Sequence, residues 1–137
     1  AVAIAQSLGA TVTLLHTYPM PVFPIADGGS ILPGPDTLAE IATSAETQLR
    51  TLAARLAVPG LQLTTKCMDG SAADTIAHVA EEEHFDLIVM GTHGRTGLKH
   101  VLLGSVAERV VRIAPCPVLT FRVPAHHSEV ATQPPLV

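Results

Sequence analysis

"DLIVMGTHGRTGLKHVLLGSVAERVVRIAPCPVL", Asp86 to Leu119, joins a strand, a glycine-rich loop, a helix and the start of a second strand in direct succession. The continuous apolar run over residues 85–91 predicts a strand buried on both faces. The helix is expected over residues 105–113, and its predicted buried face consists of Val106, Ala107, Val110 and Val111. The last strand is expected over residues 115–122. A loop between a buried strand and a helix is the usual place for a ligand in such a fold.

The rest of the chain alternates helix and strand in the same way. In chain order we expect the end of a helix capped by Gly9, a strand over Thr11–Tyr18, a helix over Asp36–Ala57 with Asp36 as N-cap, a strand over Leu61–Cys67, and a helix from Ser71 to His84. Ser71 is the expected N-cap of that helix, with Asp74 placed for a capping box. The prolines and glycines of Pro19–Pro35 predict no regular element there. Alternation of this kind predicts an α/β fold with a doubly wound parallel sheet.

The domain organisation follows from length and pattern. The chain of 137 residues fits one domain, which we place over residues 1–123, and residues 124–137 lack any period and are expected to form a flexible tail. The chain opens inside a helical pattern and without an initiating Met, whereas every other helix of the pattern follows a strand. We therefore expect a strand and the first part of its helix to precede these residues.

Composition excludes several classes of function. Hydrophobic residues make up 47% of the chain and aromatic residues 3%, which argues against a surface on which single-stranded nucleic acid would stack. The net charge of −4 argues against a surface that binds polyanions generally, so no nucleic-acid partner is expected. No apolar run is long enough to span a bilayer and no signal peptide is visible, which predicts a cytoplasmic protein without a membrane partner.

The glycine-rich loop carries three features that suit a phosphate group. Gly91 and Gly94 allow the backbone to turn its N–H groups toward an anion. Gly104 and Ser105 stand at a helix N-terminus, where free N–H groups and the helix dipole favour negative charge; the Ser105 hydroxyl has two open roles, a phosphate contact or a helix cap. Arg95, with Lys99 and His100, adds positive charge between the glycines. The loop matches neither the Walker A pattern nor GxGxxG.

The spacing Gly91, two residues, Gly94, nine residues, Gly104-Ser105 resembles that of the universal stress protein family, in its ATP-binding subgroup. The quoted stretch resembles the C-terminal signature of that family, and the resemblance extends over nearly the whole chain except the tail. It implies a Rossmann-like, adenine nucleotide alpha hydrolase-like domain with strand order 3-2-1-4-5, whose first strand has no counterpart here. It also implies a homodimer formed through the last strand.

The resemblance assigns nine residues to the nucleotide. On the adenosine side, the backbone of His16 and Thr17 would read the adenine. The residues expected to line the nucleotide or its phosphates are Met90, Gly91, Gly94, Arg95, Gly104, Ser105 and Val106. The ligand is expected to be ATP, and Mg²⁺ is expected to accompany the polyphosphate, although AMP or a cyclic nucleotide remains open.

Three functions remain open at this point. The first is a stress-response module whose nucleotide occupancy adjusts its stability or its choice of partner. The second is an enzyme that hydrolyses ATP slowly or phosphorylates itself, against which stands the lack of a general base near the loop. The third is an interaction protein that binds no nucleotide. No catalytic residue is assigned, and the seven histidines show no metal-ligand spacing, so no metal site is expected.

Overall fold

The computed structural model describes residues 1–25, 27–92 and 103–122 of the chain. Helices and strands alternate along these residues as the sequence predicts, with one additional short hairpin. The elements in chain order are α1 (Val2–Leu8), β1 (Val12–Tyr18), β2 (Phe23–Pro24), β3 (Ser30–Ile31), α2 (Pro35–Leu56), β4 (Leu63–Asp69), α3 (Ala72–Glu82), β5 (Ile88–Gly91), α4 (Ser105–Ile113) and β6 (Val118–Phe121). The predicted tail, residues 124–137, lies outside the described residues.

The longer strands form two parallel pairs. β1 pairs with β4 from Val12 opposite Leu63 to Tyr18 opposite Asp69. β5 pairs with β6 from Ile88 opposite Val118 to Gly91 opposite Phe121. Parallel pairing confirms the strand direction expected from the alternating pattern. In the described part of the chain, β1 and β5 are not hydrogen-bonded to each other.

A slot separates β1 from β5. On one face, a cleft of about 360 Å³ is bounded by α1, β1 and residues 85–89. On the other face, a smaller cavity of about 90 Å³ is bounded by α3 and the same two stretches of chain. Thr13, Phe85, Leu87 and Val89 line both. The slot is therefore an apolar space between two parallel strands, covered by one helix on each face.

The slot explains why one prediction about burial is wrong. The stretch over residues 85–91 is expected to be buried on both faces, yet Ile88, Val89 and Met90 are only partly buried and Leu87 is 38% exposed. The residues of β1 are also only partly buried. A strand inside a sheet is covered by neighbours on both edges as well as by helices on both faces. Among the described residues, each of these strands has a neighbour on one edge only, so solvent reaches its side chains from the slot.

The buried core lies mainly between α3 and α4. Ala73, Val79 and Ala80 of α3 and Ala107 and Val110 of α4 are buried, and Val110 is fully enclosed. α4 spans the predicted residues, but two of its four expected core positions are wrong. Val106 and Val111 are 40% and 50% exposed, because the helix is covered on a narrow stripe that faces α3 and β6.

Two local predictions are corrected by the structure. Asp36 is not the N-cap of α2: Gly34 occupies that position and Pro35 begins the helix, as proline's fixed φ allows. Pro19–Pro35 is not irregular throughout, because β2 and β3 form a short antiparallel hairpin with Phe23 opposite Ile31. Its turn uses Gly28 at φ 85° and the Asp27 carboxylate, which accepts a hydrogen bond from the Gly29 N–H.

Two neighbouring valines of α4 provide a test of where the core lies. Val110→Ala removes methyl groups from a fully enclosed site, so we expect a loss of about 1–3 kcal/mol in the free energy of unfolding. Val111→Ala, at a position 50% exposed, is the matched control and is expected to change it by less than about 0.5 kcal/mol. Equilibrium urea denaturation measures both, and equal losses would contradict this position of the core.

Candidate functional site

The two ends of the glycine-rich loop meet at the carboxyl end of β5. The Thr92 N–H donates to the Phe121 carbonyl at 2.8 Å and so extends the pairing of β5 with β6. The Gly104 N–H then donates to the Thr92 carbonyl at 2.7 Å. This hydrogen bond fixes the start of α4 next to Thr92, the residue that follows Gly91. This geometry joins Met90, Gly91, Gly104, Ser105 and Val106 in one region.

The N-terminus of α4 has no side-chain cap. Gly104 is the N-cap, with extended φ and ψ, and Ser105 is the first helical residue. The structure thus assigns the capping position to Gly104, so Ser105 is not the cap. In any α-helix the first N–H groups have no partner within the helix, which here are those of Ser105, Val106 and Ala107. Ser105 and Val106 are exposed residues, whereas Ala107 is buried.

One expected phosphate donor needs correction. Gly104 was expected to donate to the phosphates, but its N–H is already engaged with the Thr92 carbonyl. The remaining backbone donors of this turn are Ser105 and Val106. Gly94 and Arg95, with Lys99 and His100, lie outside the described residues, so their place relative to this turn stays a prediction.

His16 and Thr17 lie on the other pair of strands. His16 is opposite Cys67 and Thr17 is opposite Met68, and both are partly buried. The next residue, Tyr18, accepts a hydrogen bond from the Gly70 N–H at 3.0 Å through its carbonyl. The expected site residues therefore form two groups, one at the end of β1 and one at the end of β5, with the slot between the two strands.

An ion pair beside α4 is the polar feature that sequence reasoning missed. The Arg109 guanidinium donates to Oδ1 of Asp74 from Nη2 at 2.7 Å and from Nε at 3.2 Å. The hydrogen bond from Arg109, followed by one with Ser71, lowers the pKa of the Asp74 carboxyl below its ordinary value. One sequence feature could have indicated this pair: an acidic residue, Asp74, lies near the start of α3, and a basic residue, Arg109, lies near the start of the next helix, α4. Asp74 was instead expected to complete a capping box, yet Ser71 makes no side-chain cap bond.

The surface next to this pair carries charges of both signs. A groove of about 330 Å³ runs along α4 and is lined by Ser105, Glu108, Arg109, Arg112 and Ile113. Arg109 follows Ser105 by four residues, so the two lie on the same face of the helix. The groove therefore begins at Ser105 in the first turn of α4 and continues past two guanidinium groups.

The described residues offer little for covalent or metal chemistry. Within residues 1–25, 27–92 and 103–122, no three His, Cys, Asp or Glu side chains come together as metal ligands. Partial burial, followed by the charge of Glu46, raises the pKa of the Cys67 thiol, which keeps it protonated and a poor nucleophile. No helix in the described part of the chain is long and apolar enough to cross a membrane.

Comparison with known proteins gives consistent matches. The family model described as the universal stress protein family matches residues 1–122. Universal stress protein MJ0531 of Methanocaldococcus jannaschii is 51% identical over 65 residues, which cover 47% of this chain and 38% of that protein. The chain spans 38%, 51% and 22% of the lengths of three curated relatives that it matches.

Solved structures share the fold. The universal stress protein UspA from Lactobacillus plantarum superposes with a TM-score of 0.71 at 28% identity, covering 88% of this chain and 83% of that one. A universal stress protein crystallised in complex with cAMP superposes with a TM-score of 0.50 at 25% identity, covering 88% of this chain and 80% of that one.

The Asp74 carboxyl provides a direct test of the ion pair. In Arg109→Ala we expect the pKa of Asp74 to rise toward its ordinary value of 3.8, measured by NMR titration of the side-chain carboxyl. A lowered pKa stabilises the folded state above the ordinary value, and this stabilisation is lost as the pH falls through the folded value. Arg109→Ala should therefore be less stable than wild type at neutral pH and equally stable once Asp74 is protonated in both. Arg112→Ala is the control, and an unchanged Asp74 pKa in Arg109→Ala would contradict the pairing.

Proposed function

Because the chain belongs to the universal stress protein family, we propose that it binds an adenine nucleotide, ATP in the first instance, and acts as a nucleotide-responsive module of the cytoplasmic stress response. The observation that carries the proposal is the hydrogen bond from the Gly104 N–H to the Thr92 carbonyl, which fixes an uncapped helix N-terminus at the carboxyl end of β5. The similar protein in complex with cAMP supports an adenine nucleotide as the class of ligand.

The phosphates bind at the start of α4 in this proposal. The N–H groups of Ser105 and Val106 donate to the phosphate oxygens, and the positive end of the helix dipole favours their charge. The Ser105 hydroxyl adds a further hydrogen bond. Gly91 is exposed and adds no side chain of its own at the end of β5, and Gly94 and Arg95 approach the phosphates from the loop. Mg²⁺ accompanies ATP through phosphate oxygens and water, since the described residues supply no cluster of carboxylate ligands.

The adenosine binds toward the end of β1. Backbone groups of His16 and Thr17 read the adenine, and Met90 contacts the nucleotide from the end of β5. Both groups of residues stand at the ends of parallel strands, which is where α/β folds bind ligands. The nucleotide then extends from one pair of strands to the other across the end of the slot.

The slot takes up one more strand in this proposal. In the part of the chain that the structure describes, β1 and β5 each lack a partner on the edge toward the slot, and such edges require partners when they are covered. An extended apolar segment parallel to both strands would join the two pairs into one sheet, which agrees with the order 3-2-1-4-5 implied by the resemblance. Helices cover both faces of the slot, so every side chain of that strand would be apolar.

Dimer formation through β6 completes the proposal. Among the described residues, β6 pairs with β5 and with no other strand, and Phe121 at its end is 39% exposed. A second copy would cover this edge and the apolar side chain together. The alternative of slow ATP hydrolysis or self-phosphorylation lacks a described general base or activated nucleophile. The alternative of a nucleotide-independent interaction protein leaves the uncapped turn at Gly104 unexplained.

The backbone donors of α4 can be removed one at a time. Ser105→Pro deletes the N–H at the first helical position, where proline is well tolerated, so the helix should persist. We expect ATP affinity to fall about tenfold or more, because a hydrogen bond to a charged group is lost, whereas Ser105→Ala loses only the hydroxyl and should bind more tightly than Ser105→Pro. Ala72→Pro, at the same position of α3, is the matched control. Isothermal titration calorimetry measures all four proteins.

The same titrations distinguish the three functions. If the wild-type protein shows no measurable ATP affinity, both the nucleotide-binding module and the ATP-dependent enzyme are excluded. Unchanged affinity in Ser105→Pro would remove the assigned phosphate position while leaving nucleotide binding intact. Phosphate release above background, absent in Ser105→Pro, would favour the enzyme over the binding module.

The slot can be tested by supplying a strand. Joining an apolar segment of alternating Val and Ile, with a short turn, ahead of Ala1 should raise the free energy of unfolding and slow amide hydrogen exchange in both β1 and β5. The same segment with two prolines cannot complete the ladder and serves as the control. Equal exchange rates in the two proteins would count against a strand in the slot.

A further inference from the structure

One helix connects the two halves of the proposed nucleotide site. The adenosine residues His16 and Thr17 stand on β1, and the phosphate donors Ser105 and Val106 stand on α4. In the proposed function a strand in the slot sets the spacing of β1 and β5, and helix packing sets the position of α4 relative to both. α3 contacts β1 and also packs against α4. The position of α4 on α3, together with the Gly104–Thr92 hydrogen bond, therefore contributes to the span that a nucleotide must bridge.

The apolar contact between these helices does not fix their register well. It consists largely of small side chains, with Ala73 and Ala80 on α3 and Ala107 and Val110 on α4. Small side chains allow the helices to approach closely, but they offer few ridges to oppose sliding along the helix axis. A directional polar contact would supply what this interface lacks.

The ion pair supplies that contact. Asp74 lies in the first turn of α3, and Arg109 lies one turn beyond Ser105 on α4. Nη2 and Nε of Arg109 both donate to Oδ1 of Asp74, at 2.7 and 3.2 Å. Two hydrogen bonds from one planar guanidinium fix orientation as well as distance. The pair thus joins the amino-terminal parts of the two helices.

We propose that Asp74 and Arg109 are positioning residues, whose ion pair holds the first turn of α4 at the distance from β1 that a bound adenine nucleotide requires. This inference rests on the proposed function. Neither residue needs to touch the nucleotide. Asp74 acts through Arg109, and Arg109 acts through the helix that carries Ser105 and Val106.

The coupling is reciprocal. If the pair favours the arrangement that binds ATP, then bound ATP must favour the pair by the same factor. Both side chains of the pair are about half exposed, at 61% for Arg109 and 49% for Asp74. Exposed pairs contribute little, so the expected factor is about two to five.

Asp74→Asn separates positioning from simple charge effects. Removing a negative charge near a phosphate should by Coulomb's law strengthen ATP binding, whereas loss of positioning should weaken it. We expect weaker binding, by about two- to fivefold, measured by calorimetry at a temperature where the variant is fully folded. Glu46→Gln, which breaks the Arg50 ion pair on α2, is the matched control and should bind ATP like wild type.

Exchanging the two charges provides a rescue. Asp74→Arg combined with Arg109→Asp restores an ion pair between the helices but puts a carboxylate on α4. If Arg109 acts by positioning, the double variant should recover most of the lost affinity. If Arg109 instead bound phosphate directly, the carboxylate at position 109 would weaken binding further.

Hydrogen exchange of the Arg109 Nε–H gives a spectroscopic measure. This proton lies in the ion pair, so saturating ATP should slow its exchange by about two- to fivefold, the factor expected for an exposed pair that is coupled to the ligand. A pair that only stabilises the fold would show the same exchange rate with and without ATP. The Arg50 side chain, paired with Glu46, serves as the internal control.

The outcomes separate the two proposals. A wild-type protein that does not bind ATP overturns the proposed function, and this inference with it. If wild type binds ATP, either of two results overturns this inference alone. The first is that Asp74→Asn binds ATP as tightly as wild type or more tightly. The second is that the exchange rate of the Arg109 Nε–H is the same with and without ATP. Weaker binding in Asp74→Asn, recovery in the double variant and slower exchange with ATP together support it.

Discussion

The packing of α3 against α4 is the contact on which the rest of the structure depends. β1 pairs with β4 and β5 pairs with β6, but the two pairs share no ladder in the described part of the chain. α3 contacts β1 on one side and α4 on the other, and the most deeply buried side chain, Val110, lies on α4. Because burial of apolar surface is the main force for folding, this helix contact stabilises the described part of the chain and connects α4 to β1 through α3.

This arrangement divides the candidate site into two parts that offer different hydrogen-bonding groups. The end of β1 offers backbone groups of a strand, and the start of α4 offers the N–H groups and dipole of a helix. The first suits a flat heterocycle that exchanges hydrogen bonds along its edge, and the second suits an anion. A nucleotide has both parts, so one ligand can contact both halves. Binding of that ligand would then stabilise the folded state by mass action, because the unfolded chain lacks both surfaces.

The sequence was sufficient for features that depend on local chemistry. Helix α4 has the predicted bounds, Gly9 adopts φ 61° at the end of α1 as a glycine cap requires, and Ser71 precedes α3. Parallel pairing followed from the alternation of helices and strands. Features that depend on distant parts of the chain were not predictable in this way. The exposure of Val106 and Val111 depends on how much of α4 its neighbours cover, and periodicity alone cannot show this.

The candidate site also combines features that the sequence predicts with features that depend on distant parts of the chain. Glycine spacing indicates a phosphate-binding loop between β5 and α4, and the structure shows that the two ends of this loop are joined by the bond from Gly104 to Thr92. The same bond engages a donor that was assigned to phosphate, since sequence does not reveal which N–H group closes a loop. The Asp74–Arg109 pair joins residues 35 positions apart, and the local sequence pattern around Asp74 indicates only a capping box.

Electrostatics near α4 explain why that pair matters for an anion. Glu108 lies in the first turn of α4, and Asp74 is joined to the second turn through Arg109. Two uncompensated carboxylates this close to a helix N-terminus would oppose the binding of phosphate. Arg109 neutralises Asp74, and Arg112, four residues after Glu108, lies on the same helix face as that carboxylate. Pairing of Asp74 with Arg109 therefore leaves the positive end of the helix dipole less opposed by nearby negative charge.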